Sequence, residues 1–335
     1  MKNLTLIFLT TFTITISAQE VDNKEQKMAQ VTFAYPVGSN GAQAMEYSNN
    51  FSFNILYGLN GGVNGAEIGS IFNYNKGSVS GFQLAGVGNF NTGATQGLLI
   101  SGVANITQTT FSGIALSGAV NYANDSSKGA QISVLNLSTQ KFTGLQLGAI
   151  NYAKKVKGMQ LGVINYQGTN SGYPIGIVSI AKGGLYKFEL TGGEVFYTNL
   201  SYKMGVERLY TIYKVGNSSY KSKSVYSVGL GFGSQLPIGE KHRLIIDVSG
   251  NQIVYDNNWD SGLNLLNKLD LNYEFKLTPA LSILAGPSLN VYVSDVKVEG
   301  EYGTLNIPYT LSTSEWSNGK TFTWVGFNAG IGVEL

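Results

Sequence analysis

Catalysis and metal binding need clustered side chains that ionise, donate electron pairs or attack, and this chain offers few. Its 335 residues hold one His and no Cys. His242 follows Gly239-Glu240-Lys241 and opens a run that reads as a strand. As a general base it would need a Ser or Asp brought to it by the fold; an exposed His at a turn is the simpler reading. Asp256-Asn257-Asn258-Trp259-Asp260-Ser261-Gly262 begins like a calcium loop. Its Gly falls one position late, and Asn267 stands where the bidentate Glu belongs, so it reads as a polar loop. Gly229-Leu230-Gly231-Phe232-Gly233 imitates a nucleotide loop, yet it sits inside a strand pattern with no helix after it. Lys154-Lys155-Val156-Lys157, and Lys214 with Lys221 and Lys223, are small basic clusters at predicted turns, solvated or set against lipid headgroups. We therefore expect no catalytic, cofactor-binding or metal-ligating residues, no cofactor and no enzymatic activity.

Composition narrows the classes further. There are 22 Lys+Arg against 20 Asp+Glu, a formal charge of +2. That gives no electrostatic footprint for nucleic acid. Charged residues are 13% of the chain, about half the roughly 25% usual in soluble domains. Without Cys there is no disulfide framework and no zinc–thiolate site. The 43 Gly follow no G-X-Y period, so collagen is excluded.

The elements that must position any function begin after an address. Met1-Lys2-Asn3 is basic, Leu4 to Ile16 is an apolar run, and Ser17-Ala18 is a small-residue exit. This is the layout of a secretory signal peptide cleaved after Ala18. The run is too short to cross a bilayer, which takes about 20 residues. Residues 19–30 are polar and charged, and are expected to be a flexible start. No later window reads as a membrane helix, so membrane contact must come from β-structure.

The C-terminal segment, 185–335, alternates. Val325, Phe327, Ala329, Ile331, Val333 and Leu335 are apolar, with Gly326, Asn328, Gly330, Gly332 and Glu334 between them. In the run from Leu263 to Leu277 one face holds Leu263, Leu265, Leu269, Leu271, Tyr273, Phe275 and Leu277, interrupted by Asn267. The other holds Asn264, Leu266, Lys268, Asp270, Asn272, Glu274 and Lys276. Long strands of this kind, separated by polar turns, are the pattern of a transmembrane β-barrel with a polar lumen. Lys268, Asp270, Glu274 and Lys276 mix both signs and are expected to fill the lumen as a bonded ladder. Trp259, Trp316 and Trp324 fall near predicted strand ends, where an interfacial aromatic belt would sit.

The segment 65–184 repeats. Gly65, Gly81, Gly97, Gly113, Gly129, Gly144, Gly158 and Gly172 are spaced 16, 16, 16, 16, 15, 14 and 14 residues apart. An aliphatic residue follows each by three. Asn73, Asn89, Asn105, Asn121, Asn136, Asn151 and Asn165 follow the first seven by seven or eight, and Ser179 follows the last. Gln83, Gln131, Gln146 and Gln160 occupy the second position after Gly. These GxQxGxxN units resemble the bacterial surface-repeat proteins first named from leptospires and common in Bacteroidota. The resemblance covers roughly residues 50–200 and implies residence at the cell surface, with no activity to carry over.

Two architectures fit. In the first, residues 31–335 form one transmembrane antiparallel barrel of about 16–18 strands. Met159, Leu161 and Val163 then face lipid, Gly158, Gln160 and Gly162 face the lumen, and the extra residue of the early copies forms a β-bulge. In the second, the repeats are a β-solenoid with stacked aliphatic and Asn positions, fused to a smaller barrel. The first is the preferred expectation: a non-enzymatic, surface-exposed outer-membrane protein of a Gram-negative cell, acting as a passive pore or a scaffold. The alternative is a surface adhesin or binding module built on the solenoid. Expected partners are outer-membrane lipid and the barrel-assembly machinery, with no nucleic acid and an undefined surface ligand.

Overall fold

A computed structural model describes residues 24–335, except 222, 257, 258, 260, 261, 299 and 304. The expected signal peptide, 1–18, lies outside the described residues, as does most of the calcium-like loop. The architecture is the second of the two above. A parallel β-solenoid is followed by a small closed antiparallel barrel, and the single 16–18-stranded barrel does not form.

Each solenoid coil holds a long and a short strand, as in Val79–Ala85 followed by Gly88–Asn91, then Thr95–Ser101 followed by Ala104–Thr107. Long strands stack on long strands and short on short, in parallel and in register. Gly81 pairs with Gly65 and Gly97, and Asn89 with Asn73 and Asn105. The stack starts earlier than the repeat motif: Glu25–Ala34 pairs in parallel with Tyr47–Asn60. Residues 25–30, expected to be flexible, are therefore strand. The extra residue of the early copies is not a mid-strand bulge. It is a small residue, such as Ala85 or Ser101, ending the long strand at the corner.

The Gly column has a steric cause. Gly65, Gly81, Gly97, Gly113, Gly129, Gly144 and Gly158 take φ between +115° and +152°. A Cβ on Gly97 would lie 1.8 Å from the carbonyl oxygen of Gly81 in the coil before it. No side chain fits that approach.

The barrel strands are Leu185–Gly193, Thr198–Val206, Leu209–Tyr220, Lys223–Pro237, His242–Tyr255, Asn264–Lys276, Leu281–Ser294 and Gly319–Glu334. Consecutive strands pair antiparallel, and the last closes on the first, Lys187 opposite Glu334 through Gly193 opposite Asn328. Closure leaves no open edge. One end carries short turns and the link from the solenoid. The other carries the Tyr255–Asn264 and Ser294–Gly319 connections. The outer wall is apolar, with Leu230, Phe232, Val248, Leu271, Ile283 and Phe327 exposed, and the opposite parity points inward. Both expected faces of 263–277 and of 325–335 are as the alternation predicts.

The last coil abuts the barrel wall. Thr211 Oγ1 donates to the Gly176 carbonyl at 2.8 Å, and the Tyr213 hydroxyl donates to the Ile177 carbonyl. These outward barrel side chains satisfy carbonyls that no further coil could pair.

Candidate functional site

Two interiors and one exterior carry whatever this protein does. The barrel lumen is the first. An eight-stranded barrel is just wide enough for its own side chains. Inward glycines create the room: a Cβ on Gly233 would lie 2.1 Å from Asp247 Oδ1, and one on Gly229 2.1 Å from Asn251 Oδ1. This is the role of the nucleotide-loop look-alike, Gly229 to Gly233. Into that space point Lys187, Lys203, Lys214 and Lys268, facing Glu189, Asp247, Asp270 and Glu274. Lys187 Nζ lies 2.5 Å from Glu274 Oε1 and 2.8 Å from Glu189 Oε1. Lys203 Nζ lies 2.7 Å from Glu189 Oε2 and 2.6 Å from Asp247 Oδ2. Lys214 and Lys268 flank Asp270 at 3.3 and 3.7 Å. The Tyr210 hydroxyl donates to Asp247 Oδ1 at 2.7 Å. Lys276 pairs with Glu334 at 2.5 Å. A remaining void of about 10 Å³ lies among Glu189, Asp247, Asp270 and their neighbours.

Towards the long-connection end the lumen turns apolar. Phe196, Ile253, Leu266, Tyr292, Trp324 and loop residues such as Val296, Val298 and Leu305 form one buried cluster. Trp324 belongs to this plug rather than to an interfacial belt. It is 0% exposed, and its Nε1 donates to Glu194 Oε1 at 2.8 Å. Trp259 and Trp316 are exposed. Lys214, expected in a solvated cluster, is a lumen residue instead.

The second interior is the solenoid core, where ladders of amides run beside small apolar clusters such as Leu99, Phe111, Ala115 and Ala123. Each ladder Asn from Asn73 to Asn151 donates through Nδ2 to Oδ1 of the Asn one coil on, at 2.8–3.2 Å. The same group donates to a corner carbonyl of the next coil, such as Asn89 to Ile100 at 2.9 Å. Several of these carbonyls also accept a backbone N–H, as Leu147 does from Ser133 at 3.1 Å, so the Asn supplies a donor to the second lone pair. Gln160 donates to Gln146, and Gln146 to Gln131, each at 2.8 Å. Glu67 takes the Gln position in its coil and is fully buried. It accepts from Asn54 at 2.9 Å, Asn60 at 2.6 Å, Asn75 at 2.7 Å and Gln83 at 2.7 Å. Desolvation raises its pKa above the ordinary Glu value, and these four bonds oppose the rise.

The exterior of the solenoid is apolar. Outward residues of the long strands run Ile68, Leu84, Ile100, Leu116, Ile132 and Leu147. Those of the short strands run Phe72, Phe90, Ile106, Tyr122, Leu137 and Tyr152. Met159 and Leu161 point outward and Gln160 inward, as parity predicts, whereas Val163 is exposed in the corner between Ile150–Leu161 and Ile164–Gln167 rather than on a continuous strand. The corner after each long strand is apolar as well. The corners after the short strands carry Lys76, Asp125, Lys141, Lys154, Lys155 and Lys182, while those at 92–94, 108–110 and 168–172 are uncharged.

His242 stands on the barrel's outer wall at the short-turn end. Its Nδ1 is bonded to the Tyr273 hydroxyl, and its ring lies 5.2 Å from that of Phe275. No Ser or Asp is bonded to it among the described residues. Comparison with protein-family models, with curated proteins and with solved structures finds no match.

Proposed function

We propose that this protein is a non-enzymatic surface module of the outer membrane. The barrel is its membrane anchor, and the solenoid is its structural or binding part. The observation that carries this reading is the barrel's inverted distribution: an apolar outer wall around a lumen packed with paired charges. In water that distribution exposes the apolar face and buries the ions; in lipid it is the stable one. The secretory leader, the low charge and the surface-repeat resemblance support the same reading. The packed lumen and its apolar plug favour a scaffold over a passive pore.

The test is made on the full-length chain. It should fractionate with the outer membrane, and its unboiled band should run ahead of the boiled one. In planar bilayers it should give no conductance steps. Regular steps would refute the scaffold reading, and absence from the membrane fraction would refute the anchor.

A further inference from the structure

The solenoid is built inside out for water. Its buried positions mix Asn, Gln, Ser and Thr with small apolar clusters such as Phe142, Ala153 and Val156, while most of its outward positions are aliphatic or aromatic. From Gly77 to Asn124 it contains no Asp, Glu, Lys or Arg. Along the apolar corner Val134, Val163 and Ile177 are 55%, 49% and 53% exposed. A contiguous apolar surface on this scale marks contact with protein or lipid.

Three observations select lipid. First, the backbone groups of stacked coils bond to one another, which is the arrangement a bilayer favours. The corners as well as the strands bond coil to coil: Val87 N–H donates to the Ile71 carbonyl at 2.9 Å, and Thr92 N–H to the Asn75 carbonyl at 2.9 Å. Second, the surface continues the barrel's own lipid-facing wall. The cleft between the two bodies, about 550 Å³, is lined by Val163, Ile175 and Ile177 on one side and Leu230, Phe232 and Val248 on the other. Phe232 and Val248 pair across adjacent strands, four residues in from the Leu236–Leu244 pair beside the short turn. The apolar corner is thus level with the apolar belt. Third, the lysine corner points the right way. It includes Lys182, directly before the link into Leu185 at the barrel's short-turn end, where the belt gives way to headgroups.

We propose that the solenoid is a monotopic wedge in the phospholipid leaflet at the barrel's short-turn end. Its apolar corner and sheet faces lie among acyl chains, and its lysine corner lies among anionic headgroups. Stacked coils about 4.8 Å apart lay the solenoid sideways from the barrel in the membrane plane. This inference rests on the barrel being the anchor, and the experiment separates the two.

The absence of Cys allows single labels on the whole chain. Val134→Cys and Ile114→Cys report the apolar exterior, Thr139→Cys and Lys155→Cys the lysine corner, and Ile283→Cys the barrel belt. Each variant carries a bimane label and is reconstituted in phosphatidylcholine/phosphatidylglycerol vesicles with brominated acyl chains. Labels at 134 and 114 should be quenched as strongly as the label at 283, while those at 139 and 155 should keep most of their emission. Quenching at 283 with none at 134 or 114 would overturn the wedge and leave the barrel standing. Loss of quenching at all of them would overturn both readings. Uniform quenching, including 139 and 155, would overturn the assigned orientation. All five positions are on the surface, and heat-modifiable mobility of each variant confirms that its barrel is folded.

Discussion

Lys203→Met tests whether the lumen is a packed solid or a wetted channel. Lys203 Nζ sits within 2.7 Å of Glu189 and 2.6 Å of Asp247, and its side chain is 1% exposed. Removing it leaves Asp247 with only the Tyr210 hydroxyl, and Glu189 with Lys187 alone. Breaking one partner out of a buried pair costs roughly 3–5 kcal/mol, because a charge is stranded. The same pair in a water-filled lumen would be worth roughly 0–1 kcal/mol. The two cases differ by enough to be read in urea titrations of the full chain in vesicles, with folded fraction scored by unboiled gel mobility. Lys203→Met together with Asp247→Leu restores the charge balance and should recover about 2 kcal/mol or more of the loss. A single-variant cost under about 1 kcal/mol, or a double variant as costly as the sum of its parts, would refute the packed-lumen account.

Two further outcomes follow from the solenoid. Gly97→Ala forces a side chain into φ +129° and a Cβ to 1.8 Å from the Gly81 carbonyl. It should destabilise the solenoid by about 3 kcal/mol or more. Gly183→Ala, at φ +70° with open space around it, should cost about 1–2 kcal/mol; equal urea shifts would contradict the steric reading of the Gly column. Glu67 has a raised pKa in the folded state. Its contribution is therefore fully present below the unfolded Glu pKa and lost as pH rises through the folded value. Wild type should lose more stability than Glu67→Gln between acid and neutral pH, as read by hydrogen exchange of the coils around it; parallel pH profiles would contradict this.

Much of the barrel was legible because alternation is a local signal. The parity that puts Val325 and Phe327 outside also puts Asp270 and Glu274 inside. Applied one residue further, it puts Trp324 inside too; position near a strand end misled where parity did not. The same parity, followed through Tyr210, Ile212 and Lys214, brings Lys214 into the lumen. The solenoid was harder. A 14–16-residue unit with Met159 and Leu161 out and Gln160 in describes a membrane strand with its turn as well as it describes one coil. The two differ in pairing, which is non-local. Antiparallel neighbours set unlike positions opposite each other, whereas parallel coils set Asn on Asn and Gly on Gly. The constancy of the Asn and Gly offsets was the sign that identical residues meet, and the Gly-to-Gly approach gives it a steric cause. The partners of Glu67 were not readable, since Asn75 comes from the other strand of its own coil and Asn54, Asn60 and Gln83 from neighbouring coils, so they meet only after coiling and stacking.

The in-register stack has a consequence for how such a chain changes size. Each coil touches only the one before and the one after, and each presents the same Gly, Asn and outward aliphatic positions to both. A whole unit, such as residues 81–96, can be lost or duplicated without a new kind of contact being needed. The distance from barrel to tip is then counted in whole steps of about 4.8 Å, a ruler whose graduations are written in the chain.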